Sequence, residues 1–107
     1  FAGAAVYCGT KHAVRAISEG LQLDLSERSV KDGNTIKVTT IMPGLVKTEL
    51  PSSVTHKQSR VQFQSAMDNY EHPLVPHDIA ESVAFALNTP QHVELGEIAV
   101  RPTTQNF

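Results

Sequence analysis

One cysteine in 107 residues excludes an internal disulfide and fits a reducing, cytoplasmic setting. No apolar run approaches the roughly 18 residues of a membrane-spanning helix, and no signal peptide is visible. Charge is balanced, with 9 Lys plus Arg against 11 Asp plus Glu and a net charge of −2. Without a basic block, the chain offers neither nucleic acid nor a membrane surface an electrostatic footprint. The five histidines, His12, His56, His72, His77 and His92, follow no ligand spacing such as His-Glu-x-x-His, so no metal is expected. There is no internal repeat and no low-complexity segment. An initiator Met is also missing, since the first residue is Phe1, and this raises the expectation that the chain is a piece of a longer protein. Its length suits one modest domain, and its partner should be a small molecule or another protein.

What is present reads as alternating helix and strand. Tyr7 to Glu27 contains no proline, and Val14, Ile17, Leu21 and Leu25 recur at the period of an amphipathic helix. A second stripe, Ala13, Ala16 and Gly20 with Leu23 beside it, predicts packing on two sides. Asp32-Gly33-Asn34 is turn chemistry, and the β-branched run Ile36 to Met42 reads as a buried parallel strand stopped by Pro43-Gly44. Leu45 to Val75 is a long polar segment in which Phe63, Met67 and Tyr70 predict a short helix, an arrangement common in lids. Pro76 suits a first helical position, with Ile79, Val83 and Leu87 on one face and an end near Asn88-Thr89-Pro90. Glu97 to Arg101 reads as the last strand. The class is α/β, but two strands do not complete a parallel sheet covered on both faces. The chain is therefore expected to be the back half of a larger unit.

Tyr7 and Lys11 stand four residues apart, so both side chains share one helix face and can act on one ligand. A free phenol has a pKa of about 10, and a neighbouring ammonium favours the phenolate and lowers that value. The phenol can then exchange a proton with a carbonyl or alcohol oxygen. Taken alone, the pair reads better as an exposed lysine one turn below a packed tyrosine. Pro43-Gly44, followed by Val46 and Thr48, lies where open α/β sheets bind ligands, beyond the carboxyl end of a strand. Alone, that dipeptide is a plain turn. Cys8 reads as a helix-packing residue rather than a redox thiol, and Lys57 and Arg60 as a solvated loop face.

Taken in order, "YCGTKHAVRAISEGL", "VTTIMPGLVKTEL" and "IAVRP" resemble the C-terminal half of the short-chain dehydrogenase/reductase family over essentially the whole chain. The details look most like its NADP-dependent 3-hydroxy acid (serine-type) dehydrogenase branch. The resemblance implies the C-terminal half of a Rossmann-like doubly wound parallel sheet, with the N-terminal half absent. Residues 1–107 would be a partial domain carrying the catalytic helix, the cofactor loop after the strand, the substrate lid, and the last helix and strand. It also implies an NAD(P)-dependent oxidoreductase interconverting a carbonyl and a hydroxyl, with NADP, or alternatively NAD, as cofactor. Tyr7 would be the acid/base. Lys11 would hold the nicotinamide ribose and depress the tyrosine pKa, while Pro43, Gly44, Val46 and Thr48 would join both residues in contacting the cofactor. Leu50 to Tyr70 would form the substrate lid, with Phe63, Met67 and Tyr70 either walling the substrate or packing the lid. The Tyr7 helix would pair across a homo-oligomer interface. The family's glycine-rich turn and its catalytic serine and asparagine would all precede Tyr7, so the chain by itself is expected to be inactive. The alternative is a non-catalytic fragment that keeps only packing and dimerisation surfaces.

Overall fold

Proline-free sequence with strong helix formers gives α1, Ala5–Asp32, 28 residues long. It ends at the expected turn, where Gly33 adopts φ 72° and donates its N–H to Ser29 O at 2.9 Å. The computed structural model describes residues 3–105. The remaining elements are β1 (Thr40–Pro43), α2 (Leu50–Ser53), α3 (Lys57–Asp68), α4 (Pro76–Leu87) and β2 (Glu97–Val100).

β1 and β2 form a two-stranded sheet. Thr40 N–H donates to Gly96 O at 2.9 Å and Gly44 N–H to Val100 O at 2.7 Å. Both bonds advance in the same chain direction on the two strands, so the pair is parallel. β1 is shorter than the run Ile36 to Met42 predicts, because upstream the Val38 N–H is taken by the Glu94 side chain at 2.7 Å and not by a strand.

The described residues fall into two compact units. One comprises the chain up to Thr40 with Ala86–Ile98, and the other comprises Ile41–Phe85 with the chain from Ala99 onward. In the first unit, Arg15 grips Glu97, and the Gln22 side chain packs close to Gly96. In the second, an isolated parallel bridge joins Val46 to Leu74. Here α2 rests on α3 and carries buried Pro51. The short helix predicted from Phe63, Met67 and Tyr70 is present as α3, which ends before Tyr70 and is capped by His56, whose ring Nδ1 accepts the Ser59 N–H at 3.3 Å. α4 begins at Pro76 as expected.

Among the described residues, the two-sided packing expected of α1 is not made. α1 has no buried residue, and Val14, Ile17 and Leu21 are 58%, 69% and 47% exposed. No described helix is long and apolar enough to cross a membrane.

Candidate functional site

The first group of site residues is set by α1 alone. One helical turn separates Tyr7 from Lys11, and the lysine ammonium sits 5.6 Å from the centroid of the tyrosine ring, within cation–π range. Tyr7 is 54% exposed and Lys11 is also exposed. The Tyr7 carbonyl accepts the Thr10 hydroxyl at 2.8 Å, and the Cys8 carbonyl meets the His12 ring at 2.8 Å. Both bonds run from a side chain to a backbone carbonyl of α1, and neither involves the Tyr7 phenol. The pairing expected from four-residue spacing is therefore realised.

The second group follows β1. Gly44 and Leu45 are tied to the C-terminal segment, through Gly44 N–H to Val100 O and Leu45 N–H to Gln105 Oε1 at 3.0 Å. Leu74 then grips the chain on both sides of Val46: its N–H donates to Leu45 O at 3.0 Å and its carbonyl accepts the Lys47 N–H at 2.7 Å. In a parallel bridge of this kind the central residue's own N–H and C=O point away from its partner, so those of Val46 face away from Leu74. The Thr48 hydroxyl oxygen accepts the Leu50 N–H at 3.2 Å, which leaves its proton for another acceptor. Pro43, Gly44, Val46 and Thr48 thus share one segment. Tyr7 and Lys11 belong to the other compact unit.

Within the second unit lies a cleft of about 360 Å³, a volume in the range of small-ligand pockets. Thr48, Met67 and Tyr70 line it together with Lys47, Asp68 and Glu71. Two of the three residues singled out by helical spacing therefore line this cleft, whereas Phe63 is not among its lining residues.

Sequence reasoning missed Gln105 and the Arg15–Glu97 pair. No spacing rule joins a glutamine after Arg-Pro to a turn 60 positions earlier. Gly44 has no side chain, which leaves room beside its backbone. In the structure that room is first taken by the chain itself, since a Cβ there would overlap Gln105 Oε1.

A family model described as short chain dehydrogenase matches residues 1–59, more than half of the chain. The chain belongs to the short chain dehydrogenase family. That match contains both groups of site residues. An uncharacterized oxidoreductase of Staphylococcus saprophyticus is 38% identical over 107 residues, covering 100% of this chain and 41% of that protein. Dehydrogenase/reductase SDR family member 11 of Bos taurus is 40% identical over 101 residues, covering 92% of this chain and 36% of that one. Among solved structures, the closed form of serine dehydrogenase complexed with NADP+ superposes with a TM-score of 0.80 at 34% identity, covering 100% of this chain and 40% of that one. The α/β architecture with its parallel strand pair is thus that of part of a Rossmann-type short chain dehydrogenase. The chain spans about 40% of the length of these relatives.

Proposed function

We propose that this chain is the C-terminal part of an NAD(P)-dependent oxidoreductase that interconverts a carbonyl and a hydroxyl group, with residues 1–107 as a partial domain. The observation that carries this reading is the Lys11 ammonium, 5.6 Å from the centre of an exposed Tyr7 ring. Tyr7 Oη would give its proton to a carbonyl oxygen in reduction and take it from a hydroxyl in oxidation. Lys11 would stabilise the negative charge that develops on the phenol and hydrogen-bond to the ribose hydroxyls of the cofactor. When bound, the nicotinamide supplies or accepts the hydride.

The residues present suit that group chemically. A carboxamide needs an acceptor, a donor and little steric bulk, and the outward N–H and C=O of Val46 with the Thr48 hydroxyl supply the complementary set. Pro43 and Gly44 would carry that set out of the strand. NADP is the proposed cofactor and NAD the alternative, NADP being what the serine dehydrogenase neighbour holds. Small 3-hydroxy acids or carbonyl compounds are the proposed substrates, in a cytoplasmic homo-oligomer joined through α1. The exposed Val14, Ile17 and Leu21 support that joining face.

The test is turnover by the complete enzyme with NADPH or NADH, followed by absorbance with 3-hydroxy acids, 3-oxo acids and small aldehydes. Tyr7→Phe should reduce turnover by roughly 10² to 10⁴-fold. Unchanged turnover in that variant would reject the assignment. A second reading is that the 107-residue chain by itself is catalytically inactive and keeps only packing surfaces. The solvent-exposed apolar face of α1 favours it. Turnover by the chain alone would exclude it.

A further inference from the structure

The turn that leaves β1 is held from the C-terminal side by one backbone bond and one side chain. Gly44 N–H donates to Val100 O at 2.7 Å, and the next amide, that of Leu45, donates to Gln105 Oε1 at 3.0 Å. Gln105 is itself delivered by a tight turn. Its N–H donates to Pro102 O at 3.0 Å, and Pro102 is buried. The glutamine amide lies where any side chain at position 44 would begin. A Cβ on Gly44 would overlap Gln105 Oε1 and stand 3.0 Å from Pro102 Cδ and 3.3 Å from Arg101 Cα. The glycine and the glutamine are therefore a matched pair, in which the absent side chain of one admits the amide of the other.

This pairing bears on the segment that follows. The Leu45 carbonyl and the Lys47 amide are both committed to Leu74, which turns the Val46 N–H and C=O away from that partner. The Leu45 N–H lies in the peptide unit just before them, and it is held by a side chain where its neighbour Gly44 is held by the backbone. Removing the acceptor frees the Gly44–Leu45 peptide plane, which leads into the two planes that carry the Val46 N–H and C=O and that Leu74 alone would then hold.

We propose that Gln105 is a positioning residue for the cofactor-binding segment Pro43 to Thr48: by accepting the Leu45 N–H it fixes the orientation in which Val46 and Thr48 meet the nicotinamide end of the cofactor. The inference rests on the oxidoreductase reading given above. Gln105 touches no reacting atom, and it acts through Leu45.

The experiment compares wild type, Gln105→Met and Gln105→Glu in the complete enzyme. It measures exchange of the Leu45 amide hydrogen without cofactor, NADPH affinity by fluorescence titration, and the thermal midpoint. Methionine has nearly the length of glutamine but no strong acceptor, whereas glutamate keeps the acceptor oxygen. Gln105→Met is expected to speed Leu45 exchange and to weaken NADPH binding by about tenfold, the scale of one hydrogen bond. Gln105→Glu is expected to restore both. A merely structural residue would lower the midpoint and leave NADPH affinity in the folded enzyme unchanged. Wild-type NADPH affinity in folded Gln105→Met would overturn the inference and leave the oxidoreductase reading standing. If wild type itself binds neither NADPH nor NADH, that reading falls and the inference falls with it.

Discussion

Arg15 and Glu97 meet through two parallel hydrogen bonds, Nε to Oε1 at 2.5 Å and Nη2 to Oε2 at 2.8 Å, and so join α1 to the first residue of β2. Arg15 lies one turn beyond Lys11 and two beyond Tyr7, on the same line along the helix. The Glu97 hydrogen bond and charge, with a smaller contribution from Glu19, raise the guanidinium pKa above its already strongly basic ordinary value. A raised cationic pKa contributes stability that is full below the unfolded-state value and is lost only as pH rises through the folded one. Across neutral and mildly alkaline pH the guanidinium therefore brings no pH dependence. Because both side chains are partly exposed, their coupling should be small and screened. In an Arg15→Met, Glu97→Gln double-mutant cycle followed by urea unfolding, the coupling should shrink as salt approaches about 1 M, where the Debye length is about 3 Å.

Lys37 makes a different kind of tie. Its ammonium is surrounded by Thr89 Oγ1 at 2.8 Å, Thr89 O and Val93 O at 3.1 Å, and Pro90 O at 3.3 Å. Three donors thus serve four oxygens of the loop after α4, and the Thr89 hydroxyl donates a hydrogen bond to Ala86 O at 2.9 Å. Methionine at position 37 would keep the stem and strip the loop of its common partner. The expected cost is about 1–3 kcal/mol, read from urea midpoints of the complete protein. Lys37→Arg should not recover it, because a planar fork does not match a cluster of converging oxygens.

Gly44→Ala tests the crowding beneath the turn. The new methyl would meet the flexible end of Gln105, but it would also press on the Pro102 ring and the Arg101 backbone at 3.0 and 3.3 Å. Only the first of these can swing away. Overpacking of this kind costs about 1–3 kcal/mol, and adding Gln105→Ala should return part of the loss in thermal stability and not all of it.

Local chemistry made much of this molecule legible. α1 and α4 follow from apolar periodicity, the end of α1 from Gly33, and the start of α4 from Pro76, because each depends on neighbours within a turn or two. The Tyr7–Lys11 pairing was readable for the same reason. The extent of β1 was not, since a ladder exists only where a partner strand lies, and Val38 instead found the side chain of Glu94, 56 positions away. The same limit hid Gln105 and the Lys37 cluster, whose partners lie 60 and 52 to 56 positions off with no periodic signal to connect them. Gly44 shows the same limit, since nothing near it in the chain points to Gln105 as the group packed against it.

The start of α4 shows how a weak local signal is corrected by one side chain. Val75 has no side-chain oxygen to offer as an N-cap ahead of Pro76, so valine there reads as a poor beginning. The structure supplies the reverse bond: the Asp78 carboxylate reaches back to accept the Val75 N–H at 2.8 Å, the half of a capping box contributed by the third helical residue. Asp78 also places negative charge in the first turn, where the helix dipole favours it. Asp78→Ala removes both effects and should destabilise the complete protein by about 1 kcal/mol. Asp78→Asn keeps an acceptor oxygen and loses the charge, so it should fall between the two and become indistinguishable from wild type as salt screens the dipole. Thermal midpoints of the three proteins at low and high salt separate the hydrogen bond from the charge. Equal midpoints for alanine and wild type would show that the Val75 amide finds another partner.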